Sequence, residues 1–300
     1  MRKHFVKILD FTPSEALNII KRAKEMKENN YRSDLLKNKT ILMIFEKAST
    51  RTRLSFDVAI HQLGGDIIFM TPNESQLGRS EPLKDTARVV SRYCDGMVVR
   101  TFSEDKILEL IKYGSVPVVN ALTDQGHPCQ VMCDVLTMYE RTPKLDEIKV
   151  AWIGDGNNMA NSMIEAAILF NFELHLACPK GFTPDATLLE KAKQAKAKIF
   201  LTDKPEEAIK DADYVHTDVW ASMGQEHEQK ARELSFKGYC VDNRLMSLAK
   251  KDAKFMHCLP AHRGEEVSEE VFESPNSIVF DQAENRLHVQ KAILEWCFTK

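Results

Sequence analysis

Short apolar runs recur along the chain, and helical patterns separate most of them. Runs without polar alternation are typical of strands that are buried on both faces of a parallel sheet. Their alternation with helices predicts an α/β protein with parallel sheets and helices on both faces. The predicted strands are Ile41–Phe45, Ile67–Met70, Gly96–Val99, Val116–Val119, Val150–Ile153, Leu174–Cys178, Tyr214–Trp220, Tyr239–Val241, Phe255–Leu259 and Ser277–Phe280.

A break in the pattern divides the chain near its middle. A helical pattern from about Cys129 to Glu140 is followed by Pro143, which should end the helix, and a new strand–helix unit begins at Ile148. We therefore expect two doubly wound domains, residues 1–140 and 141–284, joined by this helix and with an active-site cleft between them. A C-terminal helix at about residues 285–300 is expected to pack back on the first domain.

Composition narrows the class of protein. The 300 residues include 41 basic and 44 acidic side chains, and no block of one charge is typical of a nucleic-acid-binding tail. The apolar runs are far shorter than a membrane span. Seven cysteines scattered through apolar segments argue against a disulfide framework. The first residues, Met1–Lys7, have no apolar signal core, so we expect a cytoplasmic protein.

The turn after the first predicted strand carries an unusual pair of arginines. Ser49 or Thr50 is a good N-cap for the helix that follows, which places Arg51 and Arg53 in its first turn. Cations are unfavourable at this end of a helix dipole. Free backbone N–H groups together with guanidinium groups form an anion site, and phosphate is the usual ligand. An ordinary cap with two solvated arginines is the alternative.

Polar residues also follow other predicted strands. Arg100 ends one strand, His127 follows a second, Asn158 a third, Asp218 a fourth and Cys258 a fifth. In open parallel sheets, ligands bind outside the carboxyl ends of the strands. These turns would converge on one cleft if the two sheets face each other.

Metal and dinucleotide chemistry are weaker interpretations. Cys129 and Cys133 share a helix face, but no second Cys/His pair completes a tetrahedral zinc site. Gly154-Asp155-Gly156 is similar to a dinucleotide-binding loop, but Met159 stands where the third glycine would be, and the segment 20 to 25 residues further on offers no acid for a ribose. We expect these glycines to serve packing.

Cysteine chemistry is a further alternative for the last strand end. Cys258 could act as a thiolate nucleophile beside His257. Neighbouring residues on a strand point to opposite faces, which argues against a Cys–His dyad here.

Four segments taken together resemble the motifs of the transcarbamylases: Phe45–Arg53, His127–Gln130, Asp218–Gly224 and His257–Pro260. They follow the family's order and span nearly the whole chain. The Ser222-Met223-Gly224 loop and the His-Cys-Leu-Pro turn are similar to the ornithine-specific members. The resemblance implies carbamoyl transfer from carbamoyl phosphate to the δ-amine of L-ornithine, giving citrulline and phosphate, in arginine biosynthesis. Alternatives are a related enzyme for putrescine or an acylated ornithine, a dinucleotide oxidoreductase, and a non-catalytic binding protein.

The resemblance also implies roles for individual residues, with carbamoyl phosphate on the first domain and ornithine on the second. The residues implied to bind carbamoyl phosphate are Ser49, Thr50, Arg51, Thr52, Gln76, Arg100, His127, Gln130, Cys258, Leu259 and Arg286. Those implied to bind ornithine are Asn158, Asp218, Ser222 and Met223. Catalytic roles are implied for Arg51, Arg100, His127, Asp218 and Cys258.

The implied reaction is direct acyl transfer with carbamoyl phosphate bound first, and it needs no metal, cofactor or covalent intermediate. Donors around the carbamoyl oxygen would act as an oxyanion hole. Asp218 and Cys258 would orient and deprotonate the amine. In the family, the residue matching Gln76 reaches a neighbouring subunit's site, so the resemblance implies a homotrimer that binds small molecules and neither nucleic acid nor membrane.

Overall fold

The computed structural model describes residues 2–72, 81–221 and 229–299, and the chain separates into two compact units. Unit 1 comprises Met1–Leu136 and Asn285–Lys300, and unit 2 comprises Thr137–Glu284. The boundary between them falls inside two helices, so each of these helices contributes residues to both units. Within the described ranges, every helix is either too short or too polar to cross a membrane.

Unit 1 is built on a four-stranded parallel sheet with the order β2-β1-β3-β4. Its strands are β1 Thr40–Phe45, β2 Asp66–Met70, β3 Gly96–Arg100 and β4 Val118–Leu122. Its helices are α1 Pro13–Glu28, α2 Thr50–Gln62, α3 Leu83–Val90, α4 Glu104–Tyr113, most of α5 Pro128–Arg141 and the C-terminal part of α12 Val279–Phe298. A short 3₁₀ turn, Ile8–Asp10, precedes α1.

The sheet of unit 1 reverses its direction of winding between β1 and β3, which are neighbours although β2 lies between them in sequence. Such a switch point leaves a crevice at the carboxyl ends of the two strands, where ligands bind in open α/β sheets. β1 ends at Phe45 and β3 ends at Arg100, and these two residues are register partners. The turn carrying the paired arginines and the turn after Arg100 therefore leave the sheet side by side.

Unit 2 is built on a five-stranded parallel sheet with the order β7-β6-β5-β8-β9. The strands are β5 Lys149–Ile153, β6 Glu173–Ala177, β7 Ile199–Thr202, β8 Tyr214–Thr217 and β9 Lys254–His257. The helices are α6 Asn158–Phe170, α7 Ala186–Gln194, α8 Pro205–Ile209, α9 Gln229–Ser235, α10 Asn243–Met246 and α11 Glu269–Phe272, besides the unit's parts of α5 and α12. Here the switch point lies between β5 and β8.

The glycine loop after β5 serves packing, as the sequence predicted. A Cβ on Gly156 would lie 2.2 Å from the backbone nitrogen of Pro184, so only glycine fits there. Gly154 has a φ of +145°, a conformation that side chains rarely adopt. The helix that follows begins at Asn158, with Asn157 as its cap.

The predicted class, α/β with two parallel sheets, is confirmed. Two of the predicted strands are wrong. Tyr239–Val241 and Ser277–Phe280 contribute only isolated bridges, at Val241 and Ser277, and α12 begins within the second segment. The edge strand β7 was not predicted, although Ile199-Phe200-Leu201 is a short apolar run; in the structure Phe200 is 53% exposed and Leu201 42%.

Three residues predicted for the site lie outside the described ranges. Gln76 falls between residues 72 and 81, and Ser222 and Met223 fall between residues 221 and 229.

Candidate active site

The arginine turn of unit 1 has the predicted cap. Ser49 is extended, and its hydroxyl accepts a hydrogen bond from the backbone N–H of Thr52 at 3.2 Å. Thr50 is the first helical residue and is exposed, whereas Arg51 is half-buried and Thr52 is buried. The first turn of α2 contains no acidic residue. The N–H groups of this turn and the Arg51 side chain therefore present positive potential without a local carboxylate.

The second arginine of the turn has a different partner. The Arg53 guanidinium carbon lies 3.7 Å from the ring centroid of Phe69, on the edge strand β2. Arg53 is exposed, and this stacking is a cation–π contact. The two arginines are therefore not equivalent: Arg53 is exposed and stacks on Phe69, whereas Arg51 is half-buried at the helix start.

A buried hydrogen-bond chain lies beside this turn. One terminal nitrogen of Arg286 donates to the Thr52 hydroxyl at 2.7 Å, and the other donates to the side-chain carbonyl of Gln130 at 2.6 Å. The exposed fractions of Arg286, Thr52 and Gln130 are 3%, 1% and 1%. Helices α12, α2 and α5 thus each contribute one side chain. The structure brings together three residues that are up to 234 positions apart.

Two further cationic or titratable groups belong to the same unit. Arg100 is buried at the end of β3, and its backbone carbonyl accepts from the N–H of Glu46 at 2.8 Å. His127 directly precedes α5 and is 5% exposed. Burial lowers the pKa of His127 well below its usual value, and the charges of Arg286 and Arg100 lower it further. The imidazole is therefore neutral at physiological pH, and it can donate a hydrogen bond without adding charge.

Cys129, two residues after this histidine, is not poised as a metal ligand. The Cys129 thiol donates to the backbone carbonyl of Asn120 at 3.3 Å. Burial raises the pKa of Cys129 to about 12. The side chain consequently stays protonated and behaves as a small apolar group in the helix interface.

In unit 2, a buried carboxylate lies at the switch point between β5 and β8. Asp218 directly follows β8 and is 6% exposed. One of its oxygens accepts from the Cys258 thiol at 3.0 Å and from the N–H of Val219 at 2.9 Å, and the other accepts from the Asn157 amide at 2.8 Å. Three separate turns therefore meet at a single carboxylate.

Asn157 and Asn158, at the end of the glycine loop, differ in position and in contacts. The side-chain oxygen of Asn157 accepts from the N–H groups of Met159 and Ala160, which fixes its amide nitrogen toward Asp218. Asn158, the predicted ligand, is the first residue of α6 and is half-buried. Asn157, like Asn158 and Asn161, offers an amide for a small polar ligand in the sequence, but the resemblance implies a binding role only for Asn158; the structure shows Asn157 as the N-cap that holds its amide toward Asp218.

The His-Cys-Leu-Pro turn separates its histidine from its cysteine, as strand geometry predicted. His257 accepts the N–H of Leu259 at Nδ1 (2.8 Å), and its Nε2 lies 3.0 Å from Glu266. The Cys258 thiol instead points to Asp218. Cys258 and Leu259 are half-buried, and Leu259 has a φ of +62°. This turn therefore presents the thiol while the buried His–Glu pair holds its backbone.

The described side chains at this turn do not form a complete set of metal ligands. Donor atoms of Asp218, His257 and Cys258 lie within 4.8 Å of one another. Nδ1 of His257 already accepts a backbone N–H, so Nε2 carries the proton that faces Glu266. Two side chains then remain, fewer than a structural or catalytic zinc requires.

Two buried acids, Asp155 after β5 and Asp134 within α5, were not assigned a role from the sequence. Asp155 forms a buried ion pair with Arg232 at 2.6 Å, which ties the glycine loop to α9. Asp134 accepts from the Gln130 amide at 2.9 Å. The spacing of four residues on an otherwise apolar helix was the signal for the second of these contacts.

Two family models of known proteins match consecutive parts of this chain. The family model for the carbamoyl-P binding domain of aspartate/ornithine carbamoyltransferases matches residues 3–140, and the model for the Asp/Orn binding domain matches residues 146–297. The chain belongs to the aspartate/ornithine carbamoyltransferase family.

Relatives of this carbamoyltransferase are similar over their whole length. A protein of Oleidesulfovibrio alaskensis named ornithine carbamoyltransferase is 67% identical over 296 residues, which cover 99% of each chain. One of Geobacter metallireducens with the same name is 52% identical over 298 residues, 98% of each chain. Among solved structures, the anabolic ornithine carbamoyltransferase of Campylobacter jejuni has a TM-score of 0.94 at 43% identity, with 98% of each chain covered. The enzyme of Pyrococcus furiosus has a TM-score of 0.92 at 43% identity, covering 97% of this chain and 96% of that one.

One side chain of this carbamoyltransferase lies in the part matched by one family model and contacts residues in the part matched by the other. Arg286 falls within the residues matched by the Asp/Orn binding model, yet it belongs to unit 1 and donates to Thr52 and Gln130 there. The C-terminal helix therefore contributes a cation to the unit that contains the arginine turn.

Proposed function

We propose that the chain catalyses transfer of the carbamoyl group from carbamoyl phosphate to the δ-amine of L-ornithine, with citrulline and phosphate as products. The observation that carries the proposal is the Asp218 carboxylate, which is buried and hydrogen-bonded to the Cys258 thiol at 3.0 Å. An anionic acceptor of this kind suits an ammonium group. Aspartate as the second substrate would instead require cations for its additional carboxylate. Relatives at 50–67% identity are named for ornithine.

Carbamoyl phosphate would bind to unit 1. Its phosphate would accept hydrogen bonds from the first turn of α2 and from the side chains of Ser49, Thr50 and Arg51, since a capped helix start without acids attracts anions. Arg286 would lie near the phosphate end, and the carbamoyl end would face the remaining ligands of the same unit: Thr52, Arg100, His127 and Gln130. Their burial and the neutral imidazole support this part of the proposal, because donors in a water-excluded place are stronger.

Ornithine would bind to unit 2. Asn158 would hold its carboxylate, and Asp218 would bind an ammonium group. Ser222 and Met223, outside the described residues, would complete the pocket, and Cys258 and Leu259 would lie beside the reacting amine. Asn157 supports this arrangement by fixing the second oxygen of Asp218.

In the proposed reaction, the neutral δ-amine attacks the carbonyl carbon of carbamoyl phosphate. The carbamoyl oxygen gains negative charge, which Arg100, His127 and Thr52 stabilise as donors. The tetrahedral intermediate then collapses with cleavage of the carbon–oxygen bond, and phosphate leaves with the electron pair. A phosphate oxygen takes the proton that the amine loses. Before the attack, Asp218 and Cys258 orient the amine and help to deprotonate its ammonium form.

We further propose a homotrimer, in which Gln76 reaches the site of a neighbouring subunit, and a cytoplasmic location. Unit 1 exposes apolar side chains that a subunit interface would cover: Leu54 is 57% exposed, Val58 41%, Ile68 47% and Val89 45%. All seven cysteines are free thiols, which suits a reducing compartment. Mass measurement in solution should give three chains per particle, and Leu54→Glu should lower that number. A monomeric parent would contradict the trimer.

The experiment that tests the function offers carbamoyl phosphate with one amine at a time and measures the ureido product. The amines are ornithine, putrescine, aspartate and N-acetylornithine. Product from ornithine alone is the expected result. Product from putrescine or N-acetylornithine instead would retain the carbamoyl-phosphate site and overturn the assignment of the second substrate. Binding of carbamoyl phosphate without any product would favour a non-catalytic protein.

A further inference from the structure

An acid is buried one helical turn beyond Gln130. Asp134 lies on α5 with an exposed fraction of 0%, among the equally buried apolar residues Val131 and Val135. A carboxylate in such surroundings is costly unless its oxygens accept hydrogen bonds. One of its oxygens accepts from the side-chain amide nitrogen of Gln130 at 2.9 Å. Nothing in the proposed chemistry requires this acid to contact a substrate.

The other end of the same amide contacts a cation. The side-chain oxygen of Gln130 accepts from Arg286 at 2.6 Å. A guanidinium group only donates hydrogen bonds, and an ionised carboxylate only accepts them. An amide placed between Asp134 and Arg286 can satisfy both neighbours in one orientation only. A flipped amide would place its nitrogen against the guanidinium and its oxygen against the carboxylate.

The fixed orientation continues to the first turn of α2. The second terminal nitrogen of Arg286 donates to the hydroxyl oxygen of Thr52 at 2.7 Å. Because that oxygen accepts from Arg286, the hydroxyl proton of Thr52 remains available as a donor to another acceptor. The order Asp134, Gln130, Arg286, Thr52 is therefore a single polarised chain, in which every donor and acceptor follows from the carboxylate at its buried end.

We infer that Asp134 is a positioning residue for carbamoyl-phosphate use, which acts by setting the orientation of the Gln130 amide and, through it, the donors of Arg286 and Thr52. The inference rests on the proposed function, because it assigns these donors to carbamoyl phosphate. It assigns to a buried acid a task that neither the sequence motifs nor the strand-end pattern indicates.

The test uses Asp134→Asn, which keeps the shape of the side chain but can face Gln130 with either an oxygen or an NH₂ group. The Gln130 amide then has two acceptable orientations, and one of them turns a donor against Arg286. We expect the KM for carbamoyl phosphate to rise by about tenfold to a hundredfold, the range for one hydrogen bond to a charged group. The KM for ornithine should stay within about twofold.

The matched control is Asp95→Asn in the same unit. Asp95 accepts from the N–H of Thr40 at 3.0 Å and from Lys39, away from the polarised chain, and this variant should keep the parent's KM. Asp134→Ser provides a second variant that can also donate or accept, in case the asparagine variant does not fold.

A purely structural role predicts a different result. It would lower the melting temperature of the unliganded protein and leave the KM for carbamoyl phosphate unchanged. The positioning role predicts a smaller rise in melting temperature on adding carbamoyl phosphate, measured without ornithine. An Asp134→Asn variant with the parent's KM and the parent's ligand-induced rise would overturn the inference. A parent protein that shows neither that rise nor citrulline would instead overturn the proposed function.

Discussion

Substitution of Asp218 tests the proposed ornithine site most directly. Asp218→Asn keeps the volume of the side chain and replaces one oxygen by an NH₂ group. The Asn157 amide nitrogen, the N–H of Val219 and the Cys258 thiol all donate to the present carboxylate. Since Asn157 is held by capping α6, it cannot turn to offer its oxygen. At least one donor must then face another donor.

The magnitude follows from the burial of this group, which is 6% exposed. Loss of one partner from a buried charge pair costs about 2–5 kcal/mol. With about 1.4 kcal/mol for each factor of ten, a loss of about 3–4 kcal/mol lowers kcat/KM for ornithine by about 100-fold to 1,000-fold. Binding of carbamoyl phosphate to unit 1 makes no use of Asp218, so its affinity should change by less than about twofold.

The assay measures citrulline formation while each substrate is varied in turn, and carbamoyl-phosphate binding by the shift in melting temperature. The control is Asp213→Asn at the amino end of the same strand, where the carboxylate accepts from the N–H of Lys149 at 2.9 Å and from Lys250 at 2.7 Å. This control should retain the parent's kinetics. An Asp218→Asn enzyme within about threefold of the parent in kcat/KM for ornithine would refute the reasoning, and so would an equal loss of carbamoyl-phosphate binding.

Three further outcomes are expected. Arg51→Ala should abolish measurable carbamoyl-phosphate binding in a thermal-shift titration while Arg53→Ala, which loses only the stacking on Phe69, should keep it; near-normal turnover of Arg51→Ala would exclude the assignment. Cys258→Ala should raise the KM for ornithine more than that for carbamoyl phosphate, and equal changes in both constants would contradict its placement beside the amine. Burial and the charges of Lys291 and Lys27 lower the pKa of His288 to about 4 in the folded protein. As the pH falls below about 6.5, this imidazole is therefore protonated in the unfolded chain before it is protonated in the folded one. Stability should therefore fall by about 2 kcal/mol from this group between pH 7 and pH 5, and His288→Gln should flatten that part of a pH series of urea unfolding; an identical slope would argue against it.

The sheets could be predicted from the sequence wherever strands are buried on both faces. Runs such as Val150–Ile153 have no polar alternation, because helices cover both sides of the sheet. β7 was missed because Ile199-Phe200-Leu201 is an apolar run of only three residues, and at this edge of the sheet Phe200 and Leu201 are exposed. Tyr239–Val241 was mistaken for a strand because a loop that packs into a core can also be apolar. Val241 is buried in this way and forms only one isolated bridge.

Some features of the site could likewise be predicted from neighbouring residues in the sequence, whereas others depend on tertiary contacts. The cap at Ser49 and the histidine before α5 follow from helix-start chemistry, which is local. The contacts of Asp218 with Asn157 and Cys258 join residues 61 and 40 positions apart, and only the topology of the sheet brings them together. The contact between Asp134 and Gln130 could be predicted from their spacing on one helix. The role inferred for Asp134 could not, because it depends on Arg286, which lies 156 positions beyond Gln130.

The most direct measurement of the central claim follows the carbamoyl carbon itself. Purified protein is mixed with ¹³C-labelled carbamoyl phosphate and ornithine labelled with ¹⁵N at the δ position, and the products are observed by NMR. The account predicts citrulline whose ureido carbon shows a one-bond coupling to the δ nitrogen, with one phosphate released for each citrulline formed. Labelled carbon that stays in carbamoyl phosphate, or appears only in its spontaneous breakdown products, would contradict it.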